Sequence, residues 1–562
     1  MFCLSCKHME KVFFGGGRGR VMKKIIKKNT VILIVFCYLI LIGISFLRPM
    51  ILKVIMDEGI IKKNIRLIIY LSLSLTALIS IEEVTSILQT KLFADFQNKF
   101  VLSLYIKVGQ ILYRAKQDYF TNNSSTEIIN KLSTDINSVS TLMDSNIMYV
   151  LGYVLQIISG VIGLFVINWK LAFLIIIVVP IKYLLIKFFS EKAQKLFEKE
   201  IDLSSKFSAW FGDIINGIRE VKLWNLYEEK QKNLITKQKE ILLINKKCKS
   251  IQAYNMSTDS AIKGLITAFL YGIGGYLICK SELTLGSLTA FITYSNYVIN
   301  PLSVVMNLKF IFAQIKPSAD RLRNFFKTDM EQTKGNDICR LKKQISFENV
   351  SFCYDNGKMV LENINLKIEK GEKIAIIGDN GSGKSTLISM LLRFIEPQEG
   401  HIYIDGVDIK KYDMNQYRNL FSVVEQHTYL FEDTLWNNIV MGKNVLKEEM
   451  NESIKNMNMQ EFITKLPGGY DYKIQKNGEN FSGEERQKIS LLRAIVKNSS
   501  ILILDEATSN IDEKFDEFLY QYILREFSDK TIIIITHNKK HLKLMDKTYF
   551  IQNGSIKEYN AL

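Results

Sequence analysis

The chain has 562 residues, of which 48% are hydrophobic and 23% charged, and its formal net charge is +16. This length allows several domains, and so apolar a composition is unusual for a soluble protein with this much charge. The basic residues flank apolar runs and form no aromatic and basic stripe, so we expect no nucleic-acid partner. Seven scattered cysteines argue against a disulfide framework.

Six apolar segments approach the roughly 20 residues that cross a bilayer. They are about Val31 to Met50, Leu67 to Leu88, Met148 to Ile167, Leu171 to Phe188, Ala261 to Cys279, and Leu288 to Val305. The links after the second and fourth segments are long and rich in Lys, which places them and both chain ends in the cytoplasm. Lys62, Lys63 and Arg66 in the first short link oppose this orientation. The long links have helical patterns, so we expect the helices to continue beyond the membrane.

Four charged residues fall within or close to these segments: Glu82, Glu83, Lys187 and Lys263. Charged groups at membrane depth are candidates for substrate contact. The alternative, which we favour, is that they pair with one another or extend to the headgroups.

A phosphate-binding motif lies in KIAIIGDNGSGKSTLISMLL, which reads as a strand, a Gly-rich turn and a helix. Gly378, Gly383, Lys384 and Ser385 match G-x-x-x-x-G-K-[ST]. The glycines let backbone amides surround phosphates, the lysine reaches the β and γ oxygens, and the serine offers a hydroxyl to Mg²⁺. The predicted ATP cradle comprises Gly378, Asp379, Asn380, Gly381, Ser382, Gly383, Lys384, Ser385 and Thr386.

Two further apolar strands end in polar side chains. ILILDEATS ends in Asp505 and Glu506, which suit a second Mg²⁺ contact and a base that polarises water. TIIIITH brings His537 to a similar edge position. Acidic residues also occur in ordinary turns, but an upstream phosphate loop favours a nucleotide hydrolase.

The stretch FSGEERQKIS lies at the start of a predicted helix, and its residues are consistent with two different roles. Ser482 and Glu485 have the spacing of a capping box, in which each side chain satisfies a backbone amide. A helix start also binds anions, and Glu484 and Glu485 would then compete with the ligand.

The order of these motifs after about Met22 resembles an ATP-binding cassette (ABC) exporter half-transporter. DYFTNNSSTEIINKLSTDINSV resembles the first cytoplasmic link of such exporters, GIREVKLWNLYEEK the second, and PSADRLRNFF the passage into the ATPase domain. The resemblance implies a multi-domain membrane protein, with an all-α transmembrane exporter domain of six helices followed by an α/β P-loop nucleotide-binding domain. We place a cytoplasmic extension at 1–24, the transmembrane domain at 25–325, a linker at 326–344 and the nucleotide-binding domain at 345–562.

The resemblance also implies roles for individual residues. Tyr354 would stack on adenine, and Gln426 would sense Mg²⁺ and water. Asp505 would bind Mg²⁺ with Ser385, while Glu506 and His537 would be the catalytic glutamate and the switch histidine. The resemblance also implies a dimer-contact loop, formed by Ser509, Asn510, Ile511 and Asp512. It further implies a signature turn, formed by Phe481, Ser482, Gly483, Glu484 and Glu485.

The signature turn departs from the usual L-S-G-G-Q of the family, because Glu484 replaces the second glycine and Glu485 the glutamine. A glutamate there adds bulk and negative charge beside the γ-phosphate held by a partner chain. The stretch from Gln475 to Gly478 departs as well. We therefore favour a heterodimer, whose partner supplies a normal signature, over a homodimer.

These inferences predict an ATP hydrolase that uses ATP and Mg²⁺ to export a drug, a lipid or a peptide of the bacteriocin class. The apolar segments place it in a membrane, and the low proline content with the bias towards Ile, Lys and Asn points to a bacterial cell membrane. An importer with the exporter fold and a regulatory half with little turnover of its own are the alternatives.

Overall fold

The computed structural model describes residues 28–121, 125–332, 334–354, 357, 359–507, 513–536 and 539–559. The chain divides into two compact units. The helical unit comprises Met1–Tyr113 and Thr126–Thr328, and the α/β unit comprises Arg114–Ser125 and Asp329–Leu562. The predicted extension at 1–24 lies outside the described residues.

The described residues between 28 and 325 are predominantly helical. Their helices are α1 (Lys28–Val54, continued as a π-helix over Ile55–Ile60), α2 (Ile65–Leu112), α3 (Gln117–Thr121), α4 (Ser125–Ser140), α5 (Ser145–Ile167), α6 (Trp169–Asn216), α7 (Ile218–Leu223), α8 (Tyr227–Cys279) and α9 (Leu285–Phe325). A short 3₁₀ turn, Thr141–Met143, precedes α5. Of these, α3 belongs to the α/β unit.

Five helical stretches among the described residues are long and apolar enough to cross a membrane. They are Ile32–Ile60, Ile65–Leu112, Tyr149–Ile167, Trp169–Asn216 and Tyr227–Cys279, and each overlaps one of the predicted segments. The sixth predicted segment lies within α9, which is not among the five. The count of six spans therefore stays a prediction.

Three of these helices extend well beyond the thickness of a bilayer. Helices α2 and α6 have 48 residues each and α8 has 53. At about 1.5 Å per residue, each is more than twice the length of a hydrocarbon core of about 30 Å. The expectation that the links continue the membrane helices is confirmed.

Close helix contact in the helical unit depends on glycine. A Cβ added at Gly163 of α5 would lie 2.6 Å from ring atoms of Tyr294 on α9. Tyr294 is fully buried, and its hydroxyl donates to the carbonyl of Phe46 at 2.5 Å. Small residues let helix backbones approach where hydrophobicity alone gives little drive for association. This contact joins α1, α5 and α9.

A charged cluster links three helices of the same unit. Lys182 of α6 is 2% exposed, and its ammonium contacts Asp259 of α8 at 2.7 Å. Lys263, one turn further along α8, contacts the other carboxylate oxygen at 2.7 Å. Lys182 also donates to the carbonyl of Ile299 on α9 at 2.6 Å. The cluster holds two positive charges and one negative charge.

The charged residues singled out in the sequence therefore behave differently from one another. Glu82 pairs with Arg48 at 3.3 Å and Lys263 with Asp259, whereas Glu83 and Lys187 are exposed. The expected pairing of these four residues with one another is not found among the described residues, because Glu82 and Lys263 pair instead with Arg48 and Asp259.

The α/β unit contains two sheets. Its strands are β1 (Gln344–Cys353), β2 (Met359–Glu369), β3 (Lys373–Gly378), β4 (Glu399–Ile404), β5 (Val407–Asp408), β6 (Phe421–Val424), β7 (Ile501–Asp505), β8 (Thr531–Ile535), β9 (Lys547–Gln552) and β10 (Ser555–Glu558). One sheet is antiparallel with the order β2-β1-β4-β5, and the other has the order β10-β9-β3-β8-β7-β6. In the second sheet only β10 runs antiparallel to its neighbour.

The helices of this unit follow the strands. They are α10 (Lys384–Leu391), α11 (Met414–Asn419), α12 (Leu435–Val440), α13 (Lys447–Asn456), α14 (Gln460–Thr464), α15 (Gly483–Lys497), α16 (Glu513–Glu526) and α17 (Lys539–Leu542), with 3₁₀ turns at Ile409–Lys411, Gly469–Asp471 and Lys476–Gly478.

The central strands β7 and β8 are buried along almost their whole length, as continuous runs of Ile and Leu predict for parallel strands covered on both faces. Strands β3, β7 and β8 are parallel neighbours. Their carboxyl ends therefore meet at one edge of the sheet, where Gly378 and Asp505 lie.

Candidate nucleotide-binding site

The turn between β3 and α10 requires glycine at two positions. Gly383 has a φ of +105°, and a Cβ there would lie 2.7 Å from Leu361. Gly378 has a φ of +155°, and a Cβ there would lie 2.4 Å from the carbonyl oxygen of Ile551. A side chain at either position would be strained. The predicted strand, turn and helix of the phosphate motif are confirmed.

Lys384 lies inside this turn. It is 6% exposed, and its ammonium donates to the carbonyls of Gly378 at 2.7 Å and Asp379 at 2.9 Å. Burial lowers the pKa of Lys384, while the charges of Glu506 and Asp505 act in the opposite direction. The buried Oγ of Ser382 has no hydrogen-bond partner within the described part of the chain. A cation and an unpaired hydroxyl in a Gly-rich turn suit an anion.

Asp505 ends β7 and forms a hydrogen bond with Ser385 at the start of α10. Burial, and then the neighbouring Glu506, raise the pKa of Asp505, while Ser385 and Lys384 partly offset the rise. Among the described residues, no three His, Cys, Asp or Glu side chains cluster as metal ligands. One carboxylate and one hydroxyl nevertheless fit Mg²⁺, which is commonly held by few protein oxygens together with substrate phosphates.

Glu506 directly follows Asp505 and contacts Gln426. The amide nitrogen of Gln426 donates to Glu506 Oε2 at 2.6 Å. Glu506 has a φ of +47°, which is unusual for a residue with a side chain, and its backbone amide donates to Ile535 of β8 at 3.0 Å. Backbone strain of this kind concentrates at functional sites. The sequence predicted both residues but not their contact.

Tyr354 lies just beyond the end of β1. Its side chain is 46% exposed, its ring meets Phe352 edge-on at 5.0 Å, and its hydroxyl lies 3.3 Å from Thr386 of the phosphate turn. An exposed ring held at its edge leaves a face for stacking on a flat ligand.

The capping box at the start of α15 is confirmed. Glu485 N donates to Ser482 Oγ at 3.2 Å, and Ser482 N donates to Glu485 Oε2 at 2.8 Å. The sequence analysis missed the partner of Glu484, which is Lys488 at 2.6 Å. The spacing of four residues was the available signal.

Some predicted residues cannot be placed. His537 and the loop formed by Ser509, Asn510, Ile511 and Asp512 lie outside the described residues. None of the hydrogen bonds that the signature turn makes in the described part of the chain reaches the phosphate turn. The structure thus brings Lys384, Ser385, Gln426, Asp505 and Glu506 to one edge of the sheet, without the signature.

Comparison with known proteins identifies both units. A family model described as "ABC transporter transmembrane region" matches residues 31–302, and one described as "ABC transporter" matches residues 361–509. The "Uncharacterized ABC transporter ATP-binding protein YwjA" of Bacillus subtilis (strain 168) is 30% identical over 446 residues, covering 78% of this chain and 77% of that protein. The chain belongs to the ABC transporter family.

Two further relatives of this ABC transporter carry descriptive names. The "ATP-dependent lipid A-core flippase" of Syntrophus aciditrophicus (strain SB) is 26% identical over 529 residues, covering 93% of this chain and 88% of that protein. The "Putative multidrug export ATP-binding/permease protein YgaD" of Bacillus subtilis (strain 168) is 27% identical over 471 residues, covering 82% and 80%.

A solved structure supports the fold of the ABC transporter chain. The "Structure of a bacterial Atm1-family ABC exporter with ATP bound" matches with a TM-score of 0.81 at 21% identity, covering 94% of both chains. The predicted architecture, a helical transmembrane exporter domain followed by an α/β nucleotide-binding domain, is confirmed.

Proposed function

We propose that this chain is one half of a dimeric ABC exporter that hydrolyses ATP to move an amphipathic substrate out of a bacterial cell. The observation that carries the proposal is the contact of Gln426 with Glu506 at 2.6 Å, beside the phosphate turn and Asp505. Both termini would lie in the cytoplasm, with the transmembrane domain over 25–325 and the nucleotide-binding domain over 345–562.

The proposed chemistry follows from the positions of these side chains. The phosphate turn and Lys384 bind the β and γ phosphates, and the exposed ring of Tyr354 stacks on adenine. Ser385 and Asp505 would hold Mg²⁺, which would supply positive charge to offset that of the phosphates. Glu506 accepts a hydrogen bond from the attacking water and polarises it, and Gln426 fixes the direction of the carboxylate. For His537 and the loop Ser509–Asp512, the roles of switch and dimer contact rest on the family alone.

The dimer is needed because the signature turn of one chain would dock on the phosphates held by the other. Glu484 stands where a glycine is usual, and this is the argument for a heterodimer with a partner of normal signature. Lys488 favours the homodimer instead, because it pairs with the added carboxylate at 2.6 Å. The bulk of Glu484 remains, so we keep the heterodimer as the proposal.

The substrate class is drawn from the names of the relatives, which refer to multidrug export and to a lipid A-core flippase. A drug, a lipid or an apolar peptide suits a helical unit with many exposed apolar side chains. An importer with the same fold is the alternative, and transport assays in oriented vesicles separate the two directions.

The proposal is tested by the ATPase rate of the purified chain alone in lipid, beside the Glu506→Gln and Glu484→Gly variants. A heterodimer half is nearly inactive until Glu484 becomes glycine, and that gain disappears when Glu506→Gln is added. A homodimer is active alone, depends on Glu506 and changes little with Glu484→Gly. If neither the chain nor the Glu484→Gly variant hydrolyses ATP, alone or after capture of a native partner, the ATPase proposal fails.

A further inference from the structure

A small cavity lies in the helical unit between α1, α2 and α5. Its volume is about 130 Å³, close to the size of a cavity that holds one benzene molecule. It is therefore too small for a whole drug or lipid, and it suits one chemical group of such a molecule. Its polar lining includes Tyr38, Ser45, Glu82, Gln89, Tyr153 and Gln156.

Gln89 is the unusual residue of this lining. Its side chain is fully buried at 0% exposure, and neither its amide oxygen nor its amide nitrogen has a hydrogen-bond partner within the described part of the chain. Gln156 also lines the cavity, is half-buried and makes no side-chain hydrogen bond to the described residues. Buried polar groups in folded proteins are almost always hydrogen-bonded. Two side-chain amides that face one cavity without hydrogen-bond partners point to a ligand that supplies those hydrogen bonds.

The charges around the cavity balance. Glu82 of α2 is the acidic lining residue, and Arg48 of α1 contacts its carboxylate at 3.3 Å. This ion pair leaves the cavity without net charge. A cationic or an anionic group would gain little over water and would lose its hydration on entry. The cavity therefore favours an uncharged group.

The depth of the cavity suits an amphipathic molecule. Gln89 lies about 36 Å along α2 from Ile65 at about 1.5 Å per residue, and the hydrocarbon core is about 30 Å thick. Glu82 lies about 26 Å along the same helix. The cavity thus spans the inner boundary of the hydrocarbon, where the polar end of an amphipathic molecule lies.

We propose that this cavity is a subsite for an uncharged carboxamide group of an amphipathic substrate, such as the peptide bond of an apolar peptide. A carboxamide both donates and accepts hydrogen bonds, which matches the unpartnered amides of Gln89 and Gln156. Tyr38 and Tyr153 also line the cavity, and aromatic side chains pack well against a flat group. The inference names a substrate class for the exporter and so rests on the proposed function.

The test measures equilibrium binding to the full chain in lipid nanodiscs without nucleotide. Three dansyl-labelled dodecyl probes are compared, which end in a primary carboxamide, an ammonium or a carboxylate. The carboxamide probe is expected to bind saturably and at least tenfold more tightly than the other two. Gln89→Leu is expected to weaken its binding at least tenfold. Gln110→Leu, at an exposed position of the same helix, is the matched control and leaves the affinity unchanged.

Two more variants change which probe is preferred, and they do not depend on tolerance of Gln89→Leu. Glu82→Gln leaves Arg48 without its counter-ion, so the carboxylate probe should gain at least tenfold in affinity. Arg48→Gln leaves Glu82 without its cation, so the ammonium probe should gain similarly. If both variants bind the three probes with the same order of affinity as the wild type, the proposed subsite is overturned.

Two further outcomes also overturn it. One is ammonium binding by the wild type as tight as carboxamide binding, and the other is carboxamide binding that Gln89→Leu leaves intact in a folded protein. The ATPase rate is measured on the same samples. Glu506-dependent hydrolysis without probe binding removes the subsite alone. Selective probe binding by a chain that never hydrolyses ATP removes the proposed function alone.

Discussion

Lys488 and Glu484 lie one turn apart on α15, and the ammonium of Lys488 donates to Glu484 Oε1 at 2.6 Å. The ammonium also lies 5.0 Å above the ring centre of Phe515. A glutamate four residues before a lysine is the favourable order for a pair on a helix. The negative charge of Glu484, which distinguishes this signature turn from the family pattern, is therefore paired with the ammonium of Lys488 on the same helix.

Removal of this cation should impair turnover at the composite site that this signature completes. In Lys488→Met the carboxylate of Glu484 loses its partner and is free to face the phosphates of that site. We therefore expect the ATPase rate of a homodimer to fall about tenfold, whereas a heterodimer that hydrolyses ATP at its other site should change little. The affinity of the isolated chain for a fluorescent ATP analogue should not change, because the contacts that Lys488 makes in the described part of the chain do not reach the phosphate turn. Steady-state hydrolysis and analogue titration measure the two effects.

The control for this prediction is Lys465→Met, which removes an exposed lysine paired with Glu461 at 3.4 Å with the same spacing. It should leave the ATPase rate unchanged. In a Glu484→Gly background, Lys488→Met should have little effect, since there is no carboxylate to release. An equal loss in both backgrounds would show that Lys488 acts independently of Glu484.

The contact of Gln426 with Glu506 leads to a second prediction. Gln426→Ala should lower kcat about tenfold and change KM little, because the carboxylate loses the hydrogen bond that fixes its direction. His427→Ala, an exposed neighbour, is the control and should behave like the wild type. A Gln426→Ala variant with normal kcat and a raised KM would show that Gln426 serves ATP binding instead.

The sequence predicted the nucleotide-binding edge well because its features are local. The spacing from Gly378 to Ser385 sets the phosphate turn, and runs such as ILILD and TIIII allow few structures other than buried strands. The capping box at Ser482 and Glu485 was likewise visible as a spacing of three residues. Each of these depends on residues close together in the chain.

Contacts between distant parts of the chain could not be predicted. Arg48 and Glu82 meet because α1 and α2 have a particular rotation and register, and apolar periodicity does not determine either in helices that are apolar on most faces. The same holds for Lys182, which reaches Asp259 on another helix. The pair of Asp259 with Lys263 was within reach, because it has helical spacing.

A buried pair in the α/β unit gives a stability prediction. His541 Nε2 and Asp516 Oδ2 are 2.8 Å apart, both side chains are less than 10% exposed, and the ring of Tyr520 stacks on the imidazole at 3.7 Å. Asp516→Ala should lower the free energy of unfolding by about 1–3 kcal/mol, because a buried imidazole nitrogen loses its partner. Scanning fluorimetry of the full chain measures this as a lower melting temperature.

The matched control is Glu517→Ala. Glu517 pairs with Lys540 at 3.6 Å, but both side chains are more than half exposed. Its removal should change the free energy of unfolding by less than about 1 kcal/mol. Equal melting temperatures for the Asp516→Ala variant and the wild type would contradict the prediction.

The pair of Lys116 with Glu396 makes a prediction about pH. Lys116 precedes α3 and donates to Glu396 at 2.8 Å, and this hydrogen bond lowers the pKa of Glu396 and raises that of Lys116. A carboxyl whose pKa is lower in the folded chain stabilises the fold above its unfolded pKa, and this contribution disappears as the pH falls through the folded pKa. Because both side chains are about half exposed, the contribution is less than about 1 kcal/mol.

Glu396→Gln should therefore lower the melting temperature of the full chain slightly at neutral pH. The difference from the wild type should shrink as the pH falls through the lowered pKa of Glu396, where the wild-type carboxyl is protonated as well. Glu399→Gln, a neighbouring exposed glutamate without an ion pair in the described residues, is the control. A difference that stays constant down to acid pH would exclude the charge of Glu396 as its cause.

Asp259 is the only acidic member of the cluster that it forms with Lys182 and Lys263, and it contacts each ammonium at 2.7 Å. Asp259→Asn leaves the 2% exposed Lys182 without a counter-ion. Loss of one partner of a buried pair typically lowers the free energy of unfolding by about 3–5 kcal/mol. We expect a clear loss of folded protein after extraction and a lower melting temperature in nanodiscs.

A second substitution provides the control. Adding Lys182→Met to Asp259→Asn should restore most of the lost stability, while adding Lys187→Met, at an exposed site, should not. If the double variant is no more stable than Asp259→Asn alone, the unpaired charge of Lys182 is not the cause.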